Sequence, residues 1–135
     1  MIISMPFPFT IYRAWKRGKY GDYKSREYLE YLANSFADLK LQNLQLINSA
    51  YSLEVYLHNS FWITKPKSKK DPGHLAKKDV DNYLKVLLDT IIRYCEVQKI
   101  DFDDSNITEL HVYKKQDEHQ KKAIMKFTQV NFPIF

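Results

Sequence analysis

Residues 80–97 constrain the fold more than any other stretch of this chain. Val80, Leu84, Leu87, Leu88, Ile91, Ile92 and Cys95 recur at helical spacing. They predict a helix over about 80–97 with one buried stripe. Strand-like segments flank it. In residues 50–63, Leu53, Val55 and Leu57 alternate with Glu54, Tyr56 and His58, the pattern of a strand with one wetter face. Residues 107–115 and 121–130 read as two further strands, and the polar turn Gln116-Asp117-Glu118-His119 predicts that they form a hairpin.

Upstream, Tyr28, Leu29, Leu32, Phe36 and Leu39 predict a helix over about 26–41, with Ser25 as its N-cap. Residues 1–5 read as a short strand closed by Pro6 and Pro8. Residues 9–24 are basic and aromatic with two glycines, and read as a loop. Residues 64–78, with two prolines and six lysines, read as a second loop. The order β-α-β-α-β-β makes the expected fold α/β (α+β). It is one compact domain over residues 1–135, with a mixed sheet of about four strands and two main helices.

The 44% apolar content supports a packed core rather than disorder. One cysteine, Cys95, excludes an internal disulfide and fits a reducing compartment, with the thiol on the apolar stripe. The N-terminal MIISMPFPF lacks the basic start of a signal peptide, and no apolar run approaches membrane-spanning length. A cytoplasmic location with no membrane partner is therefore expected.

Charge is segregated along the chain. Residues 79–104 hold seven acids and three bases, a net of −4, whereas the remainder holds 18 bases and 9 acids, a net of +9. An acidic knot in a basic chain suits a metal-dependent enzyme acting on a polyanion, because the knot holds cations and the basic surface holds phosphates. Asp81, Lys85 and Asp89 fall on one helical face, and Asp79 stands just before the helix. A strand packing back along the helix would return Asp103 and Asp104 to the same end. Three carboxylates suit Mg²⁺, and a lysine offsets charge developing on a phosphoryl oxygen.

Plainer roles exist for each residue. Asp79 or Asp81 suits an N-cap, the Asp81–Lys85–Asp89 row suits a surface ladder, and Asp103-Asp104 suits a turn. Other carboxylate sites fit poorly. An EF-hand loop counted from Asp79 would need an oxygen ligand and a glycine where Tyr83 and Leu84 stand. Lys77 and Lys78 precede Asp79, where a phosphatase-type nucleophile would need a hydrophobic strand. His58, His74, His111 and His119 lack metal-ligand spacing.

At Asp79, Asp81, Asn82 and Lys85, then Asp89, then Asp103-Asp104, the chain resembles the RusA-type Holliday junction resolvases, the crossover junction endodeoxyribonucleases. That family shows a D-x-D-N-x-x-K motif opening a helix, a further aspartate on it, and a paired Asp-Asp before a strand. The resemblance spans most of the chain. It implies a Mg²⁺-dependent homodimer, with Mn²⁺ as a substitute ion, that nicks opposed strands of a four-way DNA junction. It also implies that Asp79, Asp81 and Asp104 are the catalytic, metal-holding acids and Lys85 the essential lysine. Asp103 is a second candidate for the third ligand, because the segment between Asp89 and Asp103 runs longer than the family's pattern.

Branched DNA is the expected partner. Arg13, Lys16, Arg17 and Lys19, with Lys67, Lys69, Lys70, Lys77 and Lys78, are expected to hold its phosphates, and Tyr12 and Trp15 are candidates for stacking on opened bases. The aromatic tail 132–135 is a candidate dimer contact. Two other functions fit the same residues: a non-catalytic nucleic-acid-binding protein with structural acids, and a metal nuclease of other specificity.

Overall fold

The computed structural model describes residues 1–64, 70 and 73–131. A four-stranded mixed sheet has the order β1-β6-β4-β5, where β1 is Ile2–Pro6, β4 is Tyr51–Asn59, β5 is Ile107–Gln116 and β6 is Lys122–Gln129. β4 pairs parallel with β5 and antiparallel with β6. The parallel pair needs a crossover connection. The helix α3, Val80–Val97, lies in that connection.

One face of the sheet is the core face, set by the two-residue period of strands. Ile3, Met125 and Val55 line up across it by register, and all three are buried. α3 covers this face with Val86, Leu87, Ile91 and Cys95. The helix α2, Arg26–Leu41, contributes Tyr28, Tyr31, Ser35 and Leu39, and the Tyr31 hydroxyl donates to the Pro6 carbonyl at 2.9 Å. Burial pushes the Cys95 thiol up to about 11, in keeping with a packing role. Ser25 caps α2 as expected, accepting from the Tyr28 amide at 3.1 Å. Ser25→Ala should cost about 1 kcal/mol in chemical denaturation.

Three expectations change. Residues 9–24 are not a loop: they form the short helix α1, Ile11–Ala14, and an antiparallel hairpin of β2, Trp15–Gly18, and β3, Gly21–Lys24. The hairpin is a separate two-stranded sheet, and its turn turns on Gly21, whose φ of 119° side chains rarely adopt. The last two strands are not paired with each other, because β4 lies between them. The 116–121 connection therefore steps across one strand, about 10 Å. The strand expected over 50–63 ends at Asn59, after which Trp62 folds back and its indole N–H donates to the Leu57 carbonyl at 2.8 Å.

Both helical stripes are also rotated from expectation. Leu29 is exposed on α2, while Tyr31 and Ser35 turn inward; on α3, Tyr83, Thr90 and Tyr94 are buried, and Leu84 and Leu88 only half-buried. Tyrosine carries enough ring surface to fill a core if its hydroxyl reaches water or an acceptor. Thr90 solves the same problem by donating to the Val86 carbonyl at 2.7 Å. No helix among the described residues is long and apolar enough to cross a membrane.

Candidate active site

The site residues group around the start of α3. Asp79 occupies the N-cap position with extended backbone, yet its carboxylate makes no capping hydrogen bond. Asp81 lies in the first turn. Both are exposed, and neither carboxylate makes a hydrogen bond or ion pair with any described residue. The simple capping role is thus not taken up. Unpaired helix amides stabilise anionic groups at this end. One turn on, Lys85 Nζ stands 3.5 Å from Asp89 Oδ1, an exposed pair of the kind that opens at little cost.

Aromatic packing fixes this end of α3 to the sheet. Tyr83 contacts Phe7, Phe61 and Trp62, with ring centroids 5.5, 5.6 and 5.8 Å away. Lysines rest on the same cluster. Lys78 Nζ is 4.6 Å from the Phe61 centroid, and Lys114 Nζ is 5.2 Å from that of Trp62. Lys115 lies over Tyr56 and Tyr113, whose rings stack at 5.0 Å. Lys114 and Lys115 went unnoticed in the sequence, because only the parallel β4–β5 register brings the end of β5 beside the start of α3.

The base of the lysine-rich loop closes on a short ladder. Ile63 bridges Leu75, and the Ala76 amide donates to the Trp62 carbonyl at 2.8 Å. Gly73 is needed there: its φ is +81°, and a Cβ would stand 2.6 Å from the Thr64 carbonyl oxygen. Lys70, Lys77 and Lys78 belong to this region, whereas Lys67, Lys69 and the tail 132–135 lie outside the described residues.

Among the remaining expected phosphate contacts, Lys16, Arg17 and Lys19 are exposed on the hairpin. Arg13 is already paired with Glu27 at 2.6 Å, although an exposed pair of this kind opens at little cost. Burial pushes the Tyr83 phenol up, and the Arg13 charge pulls it partly back.

Asp103 and Asp104 do not return to this end. α3 runs back from the Asn59 end of β4 toward the Tyr51 end, a rise of about 27 Å over its 18 residues. Asp104 opens a 3₁₀ turn, Asp104–Asn106, from which the Asn106 side chain donates to Asn48 and to the Ser49 carbonyl. Ile107 pairs with Tyr51, at the far end of β4. The expected convergence fails because β5 runs parallel to β4 and so starts at the C-terminal end of α3. Among the described residues no group of three or more His, Cys, Asp and Glu is placed to hold a metal ion.

The two downstream acids differ. Asp103 caps the 3₁₀ turn, accepting from the Ser105 amide at 2.9 Å and from the Ser105 hydroxyl, while Asn106 accepts from its amide. Asp104 is exposed, and its carboxylate has no partner among the described residues.

The sequence profile described as Endodeoxyribonuclease RusA matches residues 6–125, nearly the whole chain. The chain belongs to the RusA endodeoxyribonuclease family. No curated protein matches it significantly. The family is one of Holliday junction-resolving endonucleases, so this RusA-family chain is a DNA-cleaving enzyme whose substrate class is branched DNA. The matched span runs from Pro6, the last residue of β1, through the basic hairpin, α2, β4 and the whole motif from Asp79 to Asp104.

Proposed function

We propose that this protein, as a single endonuclease domain over residues 1–135, resolves four-way DNA junctions by Mg²⁺-dependent phosphodiester hydrolysis. Its place would be the cytoplasm, in DNA recombination and repair. The observation that carries the reading is the pair of carboxylates at the start of α3, without side-chain partners among the described residues and with Lys85 one turn away, in a member of this family.

Exposed carboxylate oxygens suit a hard divalent cation, so the donor chemistry fits Mg²⁺ or Mn²⁺. Asp79, Asp81 and Asp104 would hold it, and the bound ion would activate water and offset charge at the scissile phosphate. Lys85, on the same helical face as Asp81, would donate to the phosphoryl oxygens as charge develops there. Asp89 holds that lysine near the site between turnovers. Asp103 is the weaker candidate ligand, because its carboxylate is spent on the 3₁₀ cap. Arg13, Lys16, Arg17, Lys19, Lys67, Lys69, Lys70, Lys77 and Lys78 would hold DNA phosphates, joined by Lys114 and Lys115.

One protomer supplies only two of the three acids, which taken alone would favour a non-catalytic DNA-binding protein. Family membership favours an enzyme, and a homodimer reconciles the two. β5 is an edge strand with seven of its ten side chains exposed and the other three partly open, and with no strand on its outer side among the described residues. Antiparallel pairing of two β5 strands about a two-fold axis would lay the start of one beside the end of the other. Asp104 of each protomer would then stand near Asp79 and Asp81 of the other.

The test is cleavage of a labelled four-way junction beside linear duplex and single strand, with Mg²⁺ and with EDTA. Paired nicks in the junction, abolished by EDTA, are expected. Junction binding without cleavage in Mg²⁺ or Mn²⁺ would establish the binding-protein reading, and preferred cleavage of another substrate the nuclease of different specificity.

A further inference from the structure

The β2–β3 hairpin has two unlike faces. Residues directly opposite in an antiparallel pair share a face. Trp15 and Lys24 are opposite each other and turn inward: the Trp15 ring meets Tyr28 edge-on at 6.0 Å, and Lys24 Nζ lies 5.9 Å from the Trp15 centroid. The inner face is therefore packed against α2. Arg17 and Asp22 share that inner side by the strand period, and the outer face carries the two alternate pairs, Lys16 with Tyr23 and Gly18 with Gly21.

Two glycines leave that outer face nearly flat. A Cβ placed on Gly18 would stand 3.0 Å from both Cδ1 and Cε1 of Tyr23, so the tyrosine ring lies directly over the Gly18 backbone. One side of the ring is held down and the other is open, with Tyr23 53% exposed. Lys16, across the register, is exposed beside it. Tyr20, at the turn, is 94% exposed with Lys19 Nζ 5.5 Å from its ring centroid.

We infer that this face is a stacking platform for an unpaired base of branched DNA, with Tyr23 as the surface on which the base lies and Lys16 as the phosphate contact. The inference rests on the proposed function for its substrate. Charge fits the occupant: the hairpin bears Lys16, Arg17, Lys19 and Lys24 against one acid, Asp22. Ring geometry selects within nucleic acids. A fixed aromatic plane binds the π-face of a base, and a continuous duplex buries those faces in its own stack, whereas single strands and branch points open them. Gly18 holds the ring in place before DNA arrives, so little rotamer freedom remains to be lost on binding.

The platform is rooted beside the proposed site. Trp15 and Lys24 share a groove with Asp89, Ile92 and Arg93 of α3. Asp89 is two turns, about 12 Å, along that helix from Asp81. A base held on the hairpin would thus fix the strand near the carboxylates, and it would give the enzyme a way to distinguish a branch from a duplex.

The test is fluorescence anisotropy in EDTA at one fixed salt concentration, with a labelled four-way junction, a short oligothymidylate and a linear duplex. Tyr23→Ala should weaken binding of the junction and of the oligothymidylate by about 5- to 100-fold, and leave duplex binding within about twofold. Tyr23→Phe should bind as the wild type does. Gly18→Ala, which keeps Tyr23 but displaces its ring, should weaken the same two ligands. Circular dichroism checks that each variant is folded. Wild-type affinity of Tyr23→Ala for both ligands would overturn the inference, as would an equal loss on the duplex. If the wild type ignores the junction, the proposed function fails, and the oligothymidylate series still decides the platform.

Discussion

Asp81→Asn is expected to lower junction cleavage by about a thousandfold or more while changing stability by no more than about 0.5 kcal/mol. The asymmetry follows from the position of the side chain. Asp81 is exposed in the first turn of α3 and makes no hydrogen bond or ion pair with any described residue, so the fold does not depend on its charge. Asparagine keeps the shape and loses the anionic oxygen that would hold the ion. Asp104→Asn should behave in the same way, although Asp104 lies at the other end of the protomer. Asp103→Ala should instead cost stability, because it removes the oxygen that accepts from the Ser105 amide at the head of the 3₁₀ turn. Initial cleavage rates and urea denaturation of the three variants check these outcomes together.

Trp62→Ala should destabilise the protein by about 3–5 kcal/mol and lower its melting temperature by about 10–20 °C. Trp62 is 2% exposed and packs between Phe61, Phe7 and Tyr83. Its truncation opens a cavity and leaves the Leu57 carbonyl without its indole donor. Trp62→Phe restores much of the volume but not the donor, and should lose about 1–2 kcal/mol. The consequence reaches the site, since this cluster ties the first turn of α3 to the end of β4. Cleavage by Trp62→Ala should fall even at temperatures where circular dichroism shows it folded.

The elements that were legible in the sequence are those written in local period. The alternation of Leu53, Val55 and Leu57 and the 80–97 stripe both correspond to real elements, and Ser25 does cap α2. Strand order is a non-local property. The turn after Gln116 looks like a hairpin turn locally, and nothing near it reveals that β4 separates β5 from β6. Asp104 stays at the C-terminal end of α3 for a different reason: the few residues after Val97 are too short to retrace a helix about 27 Å long. The hairpin of residues 15–24 hid behind basic and aromatic residues that read as a loop. The Gly18 and Gly21 spacing was the available signal. Buried tyrosines 31, 83 and 94 escaped notice because a hydroxyl makes a core residue look like a surface one.

The central claim is that the catalytic acids of one site come from two protomers. Mixing Asp81→Asn with Asp104→Asn tests it most directly. Each variant alone should be inactive. In the mixed dimer one site collects both substitutions and the other collects neither, so subunit exchange at equal concentrations should restore junction nicking to about a quarter of the wild-type rate, as single nicks rather than paired ones. Half of the dimers would be mixed, each with one of its two sites intact. A mixture as inactive as its components, under conditions where exchange of labelled subunits is observed, would contradict the account, because acids sharing a site within one protomer leave every site with one substitution.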